Sequence, residues 1–337
     1  AIMLITINSI MGTGIFFLPA VGAREAGLFS ILSWLVMGLV AIYFSMIFAE
    51  LVSLFPREGG VYEYGKAAFG HLPSFLLGWM TLIAANVTIA MLIVGAIRYV
   101  GPVLSNTWLI AASITFIILF NYMAYRGLKT GAVMLIAFAF ITLFAVLSLM
   151  IPGFINFDLA NLTGWFAHEA FTAIPSGPAG FIGIGSIVFV TIFFIAETFF
   201  GWETATFLAE KVRSPRRVMP KVMIRATVII AIVSLLFVVS SLSTIPFQTF
   251  GESATPLSDL AGAIYGEQAV PVYGILVYLA IIGSVAGWIV ASPNLIVALA
   301  KDRLFITQLA KIHPKNKTPH RAIAFQTVLT SVLVILG

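Results

Sequence analysis

Residues 9–16 read SIMGTGIF, inside a stretch with no charged residue from Ala1 to Ala23. Two glycines, Gly12 and Gly14, bracket Thr13, and all three are weak helix formers. In hydrocarbon, interrupting a helix strands N–H and C=O groups without partners, at several kcal/mol for each group left unmet. A break placed here has to serve something that uses the freed backbone.

The rest of the chain is built for a bilayer. Hydrophobic residues make up 61% of its 337 positions and charged residues 9%, and the mean hydropathy is +1.08, far from the balance of a soluble domain. Uncharged runs extend over Ala1–Ala23, Ala26–Ala49, Leu72–Ile97, Tyr99–Tyr125, Thr130–Phe157, Ala170–Ala196, Ala226–Gly251 and Gln268–Ala300. Each is long enough for a bilayer core, which takes about 20 apolar residues. A ninth run, Ala322–Gly337, is shorter. The expectation is an all-α polytopic membrane protein of about nine spans, the last incomplete, read as a fragment of a longer chain. The first run is too long, and lacks the charged leader, for a cleaved signal peptide.

Charge placement orients the spans. With span one running outward from the cytoplasm, every Lys and Arg except Arg24 and Arg98 falls in a cytoplasmic loop, as the positive-inside rule requires. The N-terminus and even-numbered loops are then cytoplasmic, in a multi-pass cell-membrane protein whose surroundings are lipid. The net charge of +5 is spread over four loops and not gathered on one face, which argues against a nucleic-acid partner. With no cysteine in the chain, disulfides and thiolate metal sites are excluded.

A second break falls in span six, at ETFFGWETATFLAEK (197–211), where Gly201 is followed by Trp202 and Glu203. Two interrupted helices at corresponding positions of two halves point to a transporter site at the bilayer midplane. Spans one and six are five apart, which fits two five-helix repeats of opposite orientation.

Five blocks carry a family resemblance: NSIMGTGIFFLPA (8–20), AELVSLFPREGGVYEYGKAAFG (49–70), NYMAYRGLK (121–129), FFGWETATFLAEKVRSPRRVMPKVMIRA (199–226) and GWIVASPNLIVALAKDRLF (287–305). In order and spacing the chain resembles the amino acid, polyamine and organocation transporter superfamily. The resemblance implies a leucine-transporter-like inverted repeat with helices 1 and 6 broken. It divides the chain into spans one to five (1–152), an extracellular segment with a short helix (153–180), and spans six to nine (181–337). It also implies a secondary active amino acid permease or exchanger working by alternating access; a channel-like protein or a polyamine or organocation carrier of the same fold is the alternative.

Under that resemblance the opening break acquires a purpose. The substrate carboxylate would dock on N–H groups of Gly12, Thr13, Gly14 and Ile15, at a helix N-terminus that favours an anion. Carbonyls near Ile10 and Met11 and at Phe199–Gly201 would take the ammonium. Taken alone, Gly12 and Gly14 also suit close helix packing. Phe199, Phe200, Trp202 and Trp288 are aromatic gate candidates, or packing residues. Asn86 and Thr88 in span three reach either the substrate or a neighbouring helix. Glu197 reads as a contact for a polar or cationic side chain, or as a structural partner near the outer end of the cavity, and Glu203 as a gating or protonation group or a cap on the unwound segment.

Coupling is open between exchange, H+ and Na+, with no cofactor. Thr142 stands in span five where some proton-coupled members of the family carry a lysine. Sodium would use span-one carbonyls with hydroxyls of Ser284 and Ser292, although a serine in a membrane helix often bonds its own backbone. Enzymatic chemistry lacks support: no G-x-S-x-G or Walker A motif occurs, and His71, His168, His313 and His320 all fall in loops. A channel would show a filter motif or a pore-lining repeat, and none is visible.

Overall fold

The computed structural model describes residues 2–11, 14–56, 59–101, 105–163, 177–207, 209 and 212–336, with side chains at all of these except 2, 5, 9, 128–135, 203 and 204. The regular elements among the described residues are all helices. The first uncharged run forms two of them, α1 (Ile2–Met11) and α2 (Gly14–Ala26). There follow α3 (Phe29–Leu54), the short α4 (Val61–Phe69), α5 (His71–Val100), α6 (Asn106–Arg126), α7 (Leu128–Ile155) and α8 (Leu159–Thr163). The second half comprises α9 (Pro178–Ile195), a 3₁₀ turn (Ala196–Phe199), α10 (Trp202–Phe207), α11 (Pro215–Thr244), α12 (Phe247–Glu252), α13 (Pro256–Tyr265), α14 (Ala269–Lys301) and α15 (His320–Leu336).

Among the described residues, seven helices are long and apolar enough to cross a membrane: α3, α5, α6, α7, α9 with its turn, α11 and α14. Neither α1 nor α2, at 10 and 13 residues, reaches the length of about 20 that a bilayer core takes. On α9 the rings of Phe181, Phe189 and Phe193 are exposed, which is favourable only against hydrocarbon.

Long helices pack in pairs. α3 runs along α11, α5 along α14 and α6 along α15, while α14 also packs on α7. Small residues set the approach: a methyl group on Gly38 of α3 would lie 3.3 Å from Cβ of Ala231 on α11, the kind of contact that van der Waals packing in lipid rewards. α1 is surrounded by α7, α10, α11 and α14, and α2 packs against α9, α12 and α3.

Of the prolines inside helices, Pro293 and Pro152 each free a carbonyl four residues earlier, because proline has no N–H. Both carbonyls are met from elsewhere. Pro293 in α14 releases the Ile289 carbonyl, which accepts from Gln326 Nε2 of α15 at 3.3 Å. Pro152 in α7 releases that of Ser148, which accepts from the Tyr265 hydroxyl at 2.6 Å. Such rescue by a neighbour is what makes proline tolerable in a membrane helix.

Candidate substrate site at two helix interruptions

Gly14, the first residue of α2, lies against the interruption in span six. α1 ends at Met11 and α2 begins at Gly14; Gly12 and Thr13 lie outside the described residues. In the second break the 3₁₀ turn closes with the Phe200 N–H donating to the Glu197 carbonyl at 3.0 Å. Phe200 is extended, at φ −77° and ψ 141°, and Gly201 takes φ +140°, a region that side chains with a Cβ rarely enter. Gly14 faces this turn so closely that a methyl group on it would run into Cα and Oγ1 of Thr198. Glycine at position 14 is a requirement of this close contact between α2 and the 3₁₀ turn.

Around that contact Ile10, Met11, Ile15 and Phe199 are fully buried, and the Phe199 ring lies 6.3 Å from that of Trp34. Phe200 is 53% exposed, unlike Phe199 beside it. Trp202 is turned to the packing side: it stacks on Phe48 at 5.6 Å, and its Nε1 donates to Thr227 Oγ1 at 2.9 Å. Trp288 is buried on α14, and Glu197 is half-buried within the turn. The side chain of Glu203 lies outside the described residues.

The remaining candidates divide. Asn86 Oδ1 accepts from Thr330 Oγ1 of α15 at 2.9 Å and its Nδ2 donates to the Leu82 carbonyl at 2.8 Å, so this side chain ties two helices together; Thr88 is half-buried on the same helix. Thr142 and Ser284 converge on one residue, Asn8. The Thr142 hydroxyl donates to Asn8 Oδ1 at 3.0 Å, and the Ser284 hydroxyl to the Asn8 carbonyl at 3.1 Å. Ser292 is buried without a hydrogen-bond partner, eight residues further along α14, or about 12 Å at the helical rise, and so does not share that position.

The sequence profile of the amino acid permease family matches residues 1–337. The chain belongs to the amino acid permease family. Relatives include the branched-chain amino acid permease BcaP of Bacillus subtilis, 26% identical over 98% of this chain and 72% of its own length. The serine/threonine exchanger SteT of the same organism is 23% identical over 99% of this chain and 75% of its own length.

Three features of the permease escaped the reading of its sequence. Thr198, the residue against Gly14, has no distinguishing motif. Asn8 is the one asparagine in the first uncharged run, a signal that was available. The third is a clasp at the end of the bundle where the basic loops gather. Tyr62 Oη and Lys66 Nζ of α4 both donate to Asp302 Oδ2, just past α14, at 2.5 Å. Beside it, methyl groups on Gly59 and Gly60 would press on Ala298 of α14 and on Thr206 and Phe207 of α10, so α4 closes over the ends of both helices. Burial raises the Tyr62 hydroxyl well above its ordinary value, with the Asp302 hydrogen bond adding to it. For Asp302, burial alone would raise the carboxyl, but hydrogen bonds from Lys66 and Tyr62 and the Lys66 charge outweigh it and hold the group below its ordinary value.

At the opposite end the permease has a cavity of about 950 Å³ between α2, α5, α15 and the segment after α12, lined in part by Phe17, Arg24, Met91, Arg98 and Pro256. It holds both of the cations that the sequence sets apart from the basic loops.

Proposed function

We propose that this permease is a secondary active carrier that moves an α-amino acid by alternating access, holding it on the unwound backbone of spans one and six. The contact of Gly14 with Thr198 carries this reading. Gly14, beside the interruption proposed for span one, lies against Thr198 in the interruption of span six, 184 positions away; there freed N–H groups would suit a carboxylate and freed carbonyls an ammonium. The pairing of α3 with α11, α5 with α14 and α6 with α15 joins spans two to seven, three to eight and four to nine, as inverted five-helix repeats would; α1 with α2 then counts as span one, and the chain as nine spans.

The basic end is the cytoplasmic one under the positive-inside rule, and the membrane is the cell membrane. Exchange or proton coupling is favoured over sodium, since the Asn8 carbonyl already accepts from the Ser284 hydroxyl and the Thr142 hydroxyl is engaged by Asn8 Oδ1. The relatives named for branched-chain amino acids and for serine and threonine favour a zwitterionic substrate.

Purified protein in liposomes loaded with single amino acids tests this. Saturable uptake, stimulated by the same amino acid on the other side, is the expected result. Conductance without saturation would make it a channel, and uptake confined to polyamines would move it to the other substrate class.

A further inference from the structure

Asn8 occupies the last turn of α1, four residues before Gly12. The described residues of α1 are packed on all sides by α7, α10, α11 and α14, so these neighbours set its position. The last four carbonyls of a helix have no partner within it, and Asn8 carries the first of these in α1. Ser284 of α14 donates to that carbonyl, and Thr142 of α7 to the side-chain Oδ1. One residue thus joins α1 to two long helices by uncharged hydrogen bonds. Asn8 is 1% exposed, and its Nδ2 is buried with no hydrogen-bond partner.

These two facts oppose each other. The bonds from Thr142 and Ser284 favour the arrangement seen, while an unmet buried donor disfavours it. A group that is satisfied at one atom and starved at the next gains from an arrangement that offers Nδ2 an acceptor, so it weights an equilibrium between two positions of its helix. We propose that Asn8 is a positioning residue for transport: it holds α1 against α7 and α14 and sets how readily this half of span one moves away. The proposal rests on the carrier function above and adds to it the residue that times the movement.

The absence of cysteine makes the test direct. Ile7, beside Asn8 and 3% exposed, is replaced by cysteine as a reporter, and its rate of modification by a small maleimide is measured in the purified full chain. Asn8→Ala and Thr142→Val, each added to the reporter, are expected to raise that rate by about five- to tenfold, whereas Thr142→Ser keeps the reporter's original rate. In liposomes the same variants should shift exchange turnover by about threefold or more with KM held within about twofold.

A purely structural role would lower the folded fraction and leave the labelling rate of folded protein unchanged; that result in both Asn8→Ala and Thr142→Val overturns the proposal. Where Asn8→Ala does not fold, Thr142→Val and Ser284→Ala, each removing one bond, decide it in the same way. Labelling is independent of substrate, so a protein that moves no amino acid defeats the carrier function while the tether is still read.

Discussion

Lys66 and Asp302, 236 positions apart, form an ion pair at 2.5 Å that draws α4 onto the end of α14, with Tyr62 donating to the same carboxylate oxygen. The side chains of the pair are 30% and 24% exposed, so solvent screens it, and its worth is about 0.5–1 kcal/mol, near a threefold change in an equilibrium. Asp302→Asn and Lys66→Met are each expected to speed modification of a cysteine placed at the buried Thr206 by roughly that factor. The carboxyl is held below its ordinary 3.8, so its contribution is complete above that value and is lost as pH falls through the lower folded one. The ratio of labelling rates of the Thr206→Cys reporter with and without Asp302→Asn, in which the thiol's own pH dependence cancels, should therefore stay constant between about pH 5 and 8.

Gly14→Val should abolish amino acid uptake. The nearest obstacle is the Thr198 backbone, which cannot rotate away, so the two breaks are forced apart. Trimming the neighbour with Thr198→Ala should not restore uptake, because its Cα remains. Overpacking of this kind costs about 1–3 kcal/mol, so a lower unfolding temperature should accompany the loss. Wild-type uptake in Gly14→Val would refute the site.

Glu197 sits half-buried in the 3₁₀ turn just before the exposed ring of Phe200. Glu197→Gln keeps the shape and removes the charge. If the carboxylate meets the substrate's side chain or links a proton to gating, uptake across the amino acids, measured at two pH values, will change in selectivity or pH dependence. Coincident profiles would assign Glu197 to the structure of the turn alone.

Trp202→Phe should leave transport nearly intact. The variant loses the indole bond to Thr227, whose hydroxyl still donates to the Met223 carbonyl at 2.9 Å, while an aromatic ring remains to stack on Phe48. Interhelical hydrogen bonds in membranes are worth about 0.6 kcal/mol on average and at most about 1.7, so a small fall in thermal stability is the expected outcome. A large loss of uptake would return Trp202 to the substrate.

Much of this was legible along the chain because the signals are local. Bilayer crossing needs uninterrupted apolar length, and hydropathy reports that one residue at a time. Gly201 was legible for the same reason: a positive φ is a demand on a single residue. The break expected at Gly12 and Thr13 lies outside the described residues, between α1 and α2. Thr142 and Ser284 were named from the family's pattern, but the residue that joins them was not, since Asn8 lies 134 and 276 positions from its partners.

By itself, then, the sequence determined the helices, the place where span six stops, and the end of the bundle that collects positive charge, all consequences of a residue's own hydrophobicity, backbone freedom or charge. Tertiary structure alone decided which polar groups are used up and on what. Asn86 is bonded to Thr330, Trp202 to Thr227, and the carbonyls freed by Pro152 and Pro293 to Tyr265 and Gln326. In hydrocarbon a polar group must find a partner wherever packing brings one within about 3 Å, and that proximity is a property of the folded bundle that no stretch of residues contains.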